Sequence, residues 1–115
     1  MDESNIGIRR QLLDHLIELG DRALWSYDYN SPGFNMGDHT LIEKVLLFGD
    51  EKHKKLLFDH FGENEIRKAF ETYIAIGGLY RTQSIKIAAE YLGEENPELY
   101  VDQINKNHFK RMKKG

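Results

Sequence analysis

The chain contains no cysteine. That excludes a disulfide framework, a thiolate zinc site and a thiol nucleophile, and it fits a reducing compartment. Two prolines and one tryptophan are present in 115 residues. Apolar runs are short, and none approaches the ~20 residues needed to cross a bilayer. The opening "MDESNIGIRR" is acidic and polar. It does not read as a secretion signal, so the expected location is the cytoplasm. Phosphate-cradling glycine motifs are absent. No nucleophile elbow surrounds Ser4, Ser26, Ser31 or Ser84.

Charge is unevenly spread. Residues 1–105 carry 11 basic and 19 acidic side chains, a net of −8. Residues 106–115, "KNHFKRMKKG", carry five basic and no acidic ones, a net of +5. An acidic body repels phosphate backbones. The tail residues Lys106, Lys110, Arg111, Lys113 and Lys114 have two readings. They complement the dipole of their own helix, or they touch nucleic acid.

What is present is helical periodicity punctuated by glycine. Gly20, Gly49, Gly62, Gly77 and Gly93 each follow an apolar segment and are expected to end helices in the left-handed conformation. Residues 5–19 place Ile8, Leu12, Leu16 and Leu19 on one stripe. Residues 39–48 follow Asp38, an expected N-cap, and carry Leu41, Ile42, Val45, Leu46 and Phe48. Asp50 is expected to cap the next helix. Asn64 is expected to cap one carrying Ile66, Ala69, Phe70, Tyr73 and Ile74. Thr82 or Ser84 should start a fifth. "NPELY" gives the strongest start signal, with Asn96 as cap and Pro97 in the first turn of a helix running to about residue 111. No strand pattern competes. The expectation is an all-α fold: a compact single-domain bundle of about six short helices, with a core over residues 38–76 and one irregular aromatic loop over residues 26–37.

Chemistry-bearing clusters are sparse. His53 and His60 lie seven residues apart, too far for one ion on a straight helix. Asp50 with His53, and Asp14 and His15 with Glu18, have helical spacing and read as surface electrostatics. Acidic residues in "FGENE" and "GEENPE" sit at helix starts, where they stabilise the dipole. No catalytic residue, cofactor or metal ligand is assigned, and the chain is read as non-enzymatic. The segment "IKIAAEYLGEENPELYVDQINK" has the outline of a helix-turn-helix. Its second helix, however, opens with Glu98, Leu99, Tyr100 and Asp102, where a base-reading helix presents basic or amide side chains.

Two segments read as contact surfaces. "GGLYRTQSIK" gathers Leu79, Tyr80 and Arg81 at a helix start, residue types enriched at interfaces or suited to anions. The alternative has Leu79 and Tyr80 stapling the turn. "ALWSYDYNSPGFN" holds the sole tryptophan, two tyrosines and a phenylalanine. Trp25 is expected to pack into the core. Tyr27, Tyr29 and Phe34 are expected partner contacts, with Tyr29 and Phe34 leaning to exposure.

The same region resembles a family of small bacterial proteins. Its members read F-W-D-x-D, a spacer, H-x-x-x-I-I-E-R-V-L-x-x-G, a helix ending near Y-Y-G, then E-x-I-R. Trp25, Asp28, Ile42, Glu43, Val45, Leu46, Gly49, Phe61, Gly62, Glu65, Ile66 and Arg67 match, as do Leu79 and Thr82 in a closing segment. The resemblance covers residues 23–93. Lys44 departs from the family's Arg, and the spacer is longer. Members are often found beside a nucleotidyltransferase-type toxin of the abortive-infection class. The resemblance therefore implies the antitoxin or accessory half of a toxin–antitoxin or phage-defence pair. The alternative is a DNA-binding regulator using the last helix and basic tail.

Overall fold

The computed structural model describes the backbone of residues 3–76 and 80–114, and the side chains of residues 7–76 and 80–108. Among the described residues the fold is all-α, with seven α-helices and one π-helical turn and no strand. The helices are α1 (Glu3–Leu19), α2 (Asp21–Leu24), α3 (Asp38–Phe48), α4 (Glu51–Phe61), α5 (Glu63–Ala69), α6 (Arg81–Glu90) and α7 (Pro97–Lys114). The π turn, Phe70–Ile74, follows α5 directly. No helix of the described residues is long and apolar enough to cross a membrane. The contacts do not isolate the expected core of residues 38–76. They group the chain into two units, Met1–Ile66 and Arg67–Gly115.

In the first unit, α1 packs against α2, α3 and α4. Leu12, Leu13 and Leu16 of α1 meet the buried set Leu41, Ile42, Val45 and Leu46 of α3 and Leu57 of α4. These positions recur at three- and four-residue intervals, so each helix buries one stripe. Burying a leucine or isoleucine contributes about 1.5–3 kcal/mol, and this stripe is the unit's main source of stability.

Helix ends depart from expectation in instructive ways. Asp50 does cap α4, its side chain accepting the His53 N–H at 2.8 Å. Asp38 does not cap α3. It is the first helical residue, Gly37 holds the cap position, and the Asp38 carboxylate instead receives Arg9 Nε at 3.0 Å. Asn64 lies inside α5, which begins at Glu63. Gly20, Gly62 and Gly93 adopt positive φ as expected. Gly49 does not, with φ at −71°. It is required for closeness instead: a Cβ there would sit 2.7 Å from the Val45 carbonyl oxygen. Gly77 and Leu79 lie outside the described residues.

In the second unit, α6 packs on α7. Ile74, Ala75, Ile87, Ala88, Leu92 and Val101 are buried with Phe70. The α-helical pattern predicts Tyr73 on the buried face. The π turn shifts that face by one residue, because the Ala75 N–H reaches the Phe70 carbonyl, five residues back. Ile74 and Ala75 turn inward, and Tyr73 is left 48% exposed. Wide turns free carbonyls, and two side chains take them. Ser84 Oγ donates to the Ile74 carbonyl at 3.3 Å. Asn105 Nδ2 donates to the Ala75 carbonyl at 2.6 Å. Ser84 is therefore a buried tie rather than the start of α6. Thr82 is exposed, and Tyr80 occupies the cap position without a side-chain bond. The last helix runs past residue 111, to Lys114.

Candidate functional site

Residues 25–37 form the one long non-helical stretch of the first unit. The α2 turn before it buries Ala23 and Leu24 completely. Successive helical residues are ~100° apart, so the next residue points away from that buried pair. Trp25 obeys this and is 73% exposed, against the expectation that it packs into the core. The adjacent apolar pair Ala23 and Leu24 is the sequence signal for this exposure.

The rest of the loop is braced. Tyr29 and Phe34, expected to be exposed, are half-buried. Tyr29 donates its hydroxyl to Asp21 at 2.9 Å. It fits because residue 20 is glycine; a Cβ there would lie 3.2 Å from the Tyr29 hydroxyl. Phe34 meets the Tyr27 ring edge-on, with centroids 6.1 Å apart. The Lys44 ammonium lies 5.8 Å from the Tyr27 centroid, a cation–π contact. Tyr27 itself stays 36% exposed. A shallow depression of about 260 Å³ opens beside Phe34, floored by Leu13.

Arg9 closes the far end of the loop, and nothing in its sequence context marks it. Its guanidinium donates to Asp38 at 3.0 Å, to Asn35 at 2.8 Å, and to the Met36 carbonyl. Three acceptors over four residues hold the chain where it re-enters α3. Trp25 thus stands out from a segment held at Tyr27, Tyr29, Phe34 and residues 35–38.

The second expected contact surface is organised differently. Tyr80 is half-buried. Arg81 is exposed but directs one nitrogen at both Asp102 oxygens, at 3.1 and 3.3 Å. The cation expected to meet a partner or an anion thus ties α6 to α7. Tyr100 packs inward, stacked parallel to Phe70 at 6.0 Å and donating to Glu71 at 2.8 Å. Burial and then Glu71 hold its phenol well above the ordinary tyrosine value, with Arg67 pulling the other way. Arg67 lies over the Tyr100 ring and donates to Glu94 at 2.8 Å. The exposed residues at the start of α7 are therefore Glu98, Leu99 and Asp102. Of the tail residues, Lys106 is exposed; the side chains of Lys110, Arg111, Lys113 and Lys114 lie outside the described residues.

A third constellation joins histidines that the sequence keeps 38 residues apart. The rings of His15 (α1) and His53 (α4) stack in parallel, centroids 3.7 Å apart and planes within 1°. Asp50 lies beside both. Its carboxylate is 2.6 Å from His53 Nδ1, and its backbone N–H donates to His15 Nε2 at 3.3 Å. Burial first, then His53, hold His15 below its ordinary value, with Asp50 and Glu18 opposing. The His53 backbone N–H and then its ring hold Asp50 below the usual carboxylate range.

Searches of family models, curated proteins and solved structures each found no match. The resemblance described above rests on the quoted residues alone.

Proposed function

We propose that this chain is a non-enzymatic protein-interaction domain whose contact centres on Trp25 and Tyr27. The observation that supports it is the 73% exposure of Trp25 on a segment braced by Arg9 and Tyr29. An ordered, protruding tryptophan loses little conformational freedom on binding, and tryptophan and tyrosine are enriched among residues that dominate interface energies. Tyr29 and Phe34 act as supports, holding the loop that presents the other two. Tyr80 and Arg81 form a weaker second patch, since Arg81 must leave Asp102 to meet a partner. The family resemblance supplies the partner class: a nucleotidyltransferase-type toxin, with this chain as its antitoxin or accessory protein.

The test is capture of partners by the tagged full chain from its source cell at moderate salt, with and without nuclease. The reading predicts a stoichiometric protein that survives nuclease and is retained by the Arg81→Ala variant. Co-elution of nucleic acid alone, lost at higher salt or on removing residues 110–114, would overturn it in favour of the DNA-binding alternative.

A further inference from the structure

We propose that His15, Asp50 and His53 form a binding site for a divalent transition metal of the zinc class. One donor atom from each residue lies within 4.8 Å of the other two. Zinc holds nitrogen and oxygen donors at about 2.0–2.2 Å, which places tetrahedral donors roughly 3.3 Å apart. Small rotations of two side chains cover the difference, without movement of the helices that carry them.

The hydrogen bonds already prepare the donors. Asp50 Oδ1 sits 2.6 Å from His53 Nδ1. A metal that replaces the proton shared by this pair takes Nδ1 and the carboxylate oxygen as two of its donors. The Asp50 N–H pointing at His15 Nε2 marks that nitrogen as carrying a lone pair too. At 3.3 Å this is a long bond, one that a metal displaces at small cost. Stacking holds the two imidazoles face to face 3.7 Å apart, and a metal that takes both tilts one ring out of the stack.

Position and chemistry agree. Asp50 and His53 are fixed relative to each other by the α4 cap, with the His53 N–H donating to Asp50 Oδ1 at 2.8 Å. His15 comes from a helix packed along α4. A metal here would staple α1 to the α3–α4 junction. Two imidazoles and one carboxylate select zinc, nickel or copper over magnesium or calcium. Three protein donors leave a position for water or a further ligand.

The test is calorimetric titration of the untagged, chelator-stripped full chain near neutral pH, with zinc and, separately, magnesium. One equivalent of zinc and no magnesium are expected. Asp50→Asn, which replaces the anionic donor by a neutral amide, should weaken zinc by at least the roughly 10–100-fold that loss of an outer-shell partner costs. His15→Gln and His53→Gln should each abolish the one-equivalent binding, while His39→Gln keeps it. Should a variant misfold, the wild-type imidazole NMR signals decide. Those of His15 and His53 must move on adding zinc, and those of His39 and His108 must not. Absence of binding up to millimolar zinc, or zinc that shifts only other histidines, overturns the proposal.

Discussion

Each unit contains an irregular segment held by side chains from neighbouring helices, and the two treat their aromatics differently. The loop over residues 25–37 is held by side chains reaching it from α1 and α2, and it leaves an aromatic outside. The π turn over Phe70–Ile74 is held by Ser84 and Asn105 reaching from α6 and α7; it buries Phe70 and leaves Tyr73 half outside. Phe70 stacks on Tyr100 of α7, whose hydroxyl donates to Glu71. Of the loop's aromatics, Trp25 is the most exposed. Phe70 is spent on the fold, whereas the loop is braced without Trp25, whose ring surface stays uncovered.

The largest break in this comparison should come from Phe70→Ala. Phe70 is fully buried. Its truncation should cost about 3–5 kcal/mol, read by urea unfolding. Trp25→Ala should change stability by less than about 0.5 kcal/mol, as for an exposed site. Next in size is Asn105→Ala, which leaves the Ala75 carbonyl without its side-chain donor and should cost about 1–3 kcal/mol. Arg9→Ala removes three donors from the loop's far end. Because Arg9 is a quarter exposed, the cost should be nearer 1–2 kcal/mol. Faster amide exchange at residues 35–38 should report it. The smallest effect concerns alkali. The Tyr100 phenol is held above its ordinary value. The stability it contributes is fully present below about pH 10 and is lost as pH rises through the folded value. The stability difference between wild type and Tyr100→Phe should therefore shrink above that pH.

The pattern of success in reading the sequence has physical causes. Helices 5–19 and 39–48 are visible because their apolar residues recur every three or four positions, and helix 97–111 because Asn96 and Pro97 mark its start, all local properties. The Asp50 cap was equally local. Asp38 misled because a distant arginine competes for its carboxylate. Trp25 misleads because tryptophan is buried on average, while the direction set by Ala23 and Leu24 turns this one outward. The π turn left no periodic mark, since its extra residue is accommodated by Ser84 and Asn105 from elsewhere in the chain. The His15–Asp50–His53 cluster could not be found by spacing, because α1 and α4 must pack before its members meet.

On the proposed function, Trp25 serves a partner and not the fold. The most direct measurement pairs two readings on one preparation of Trp25→Ala: its urea unfolding midpoint and its affinity for the captured partner. The account predicts an unchanged midpoint and binding weakened at least about 30-fold, as for the loss of an interface anchor worth 2 kcal/mol or more. Partner binding at full strength, or a midpoint that falls in step with binding, would contradict it.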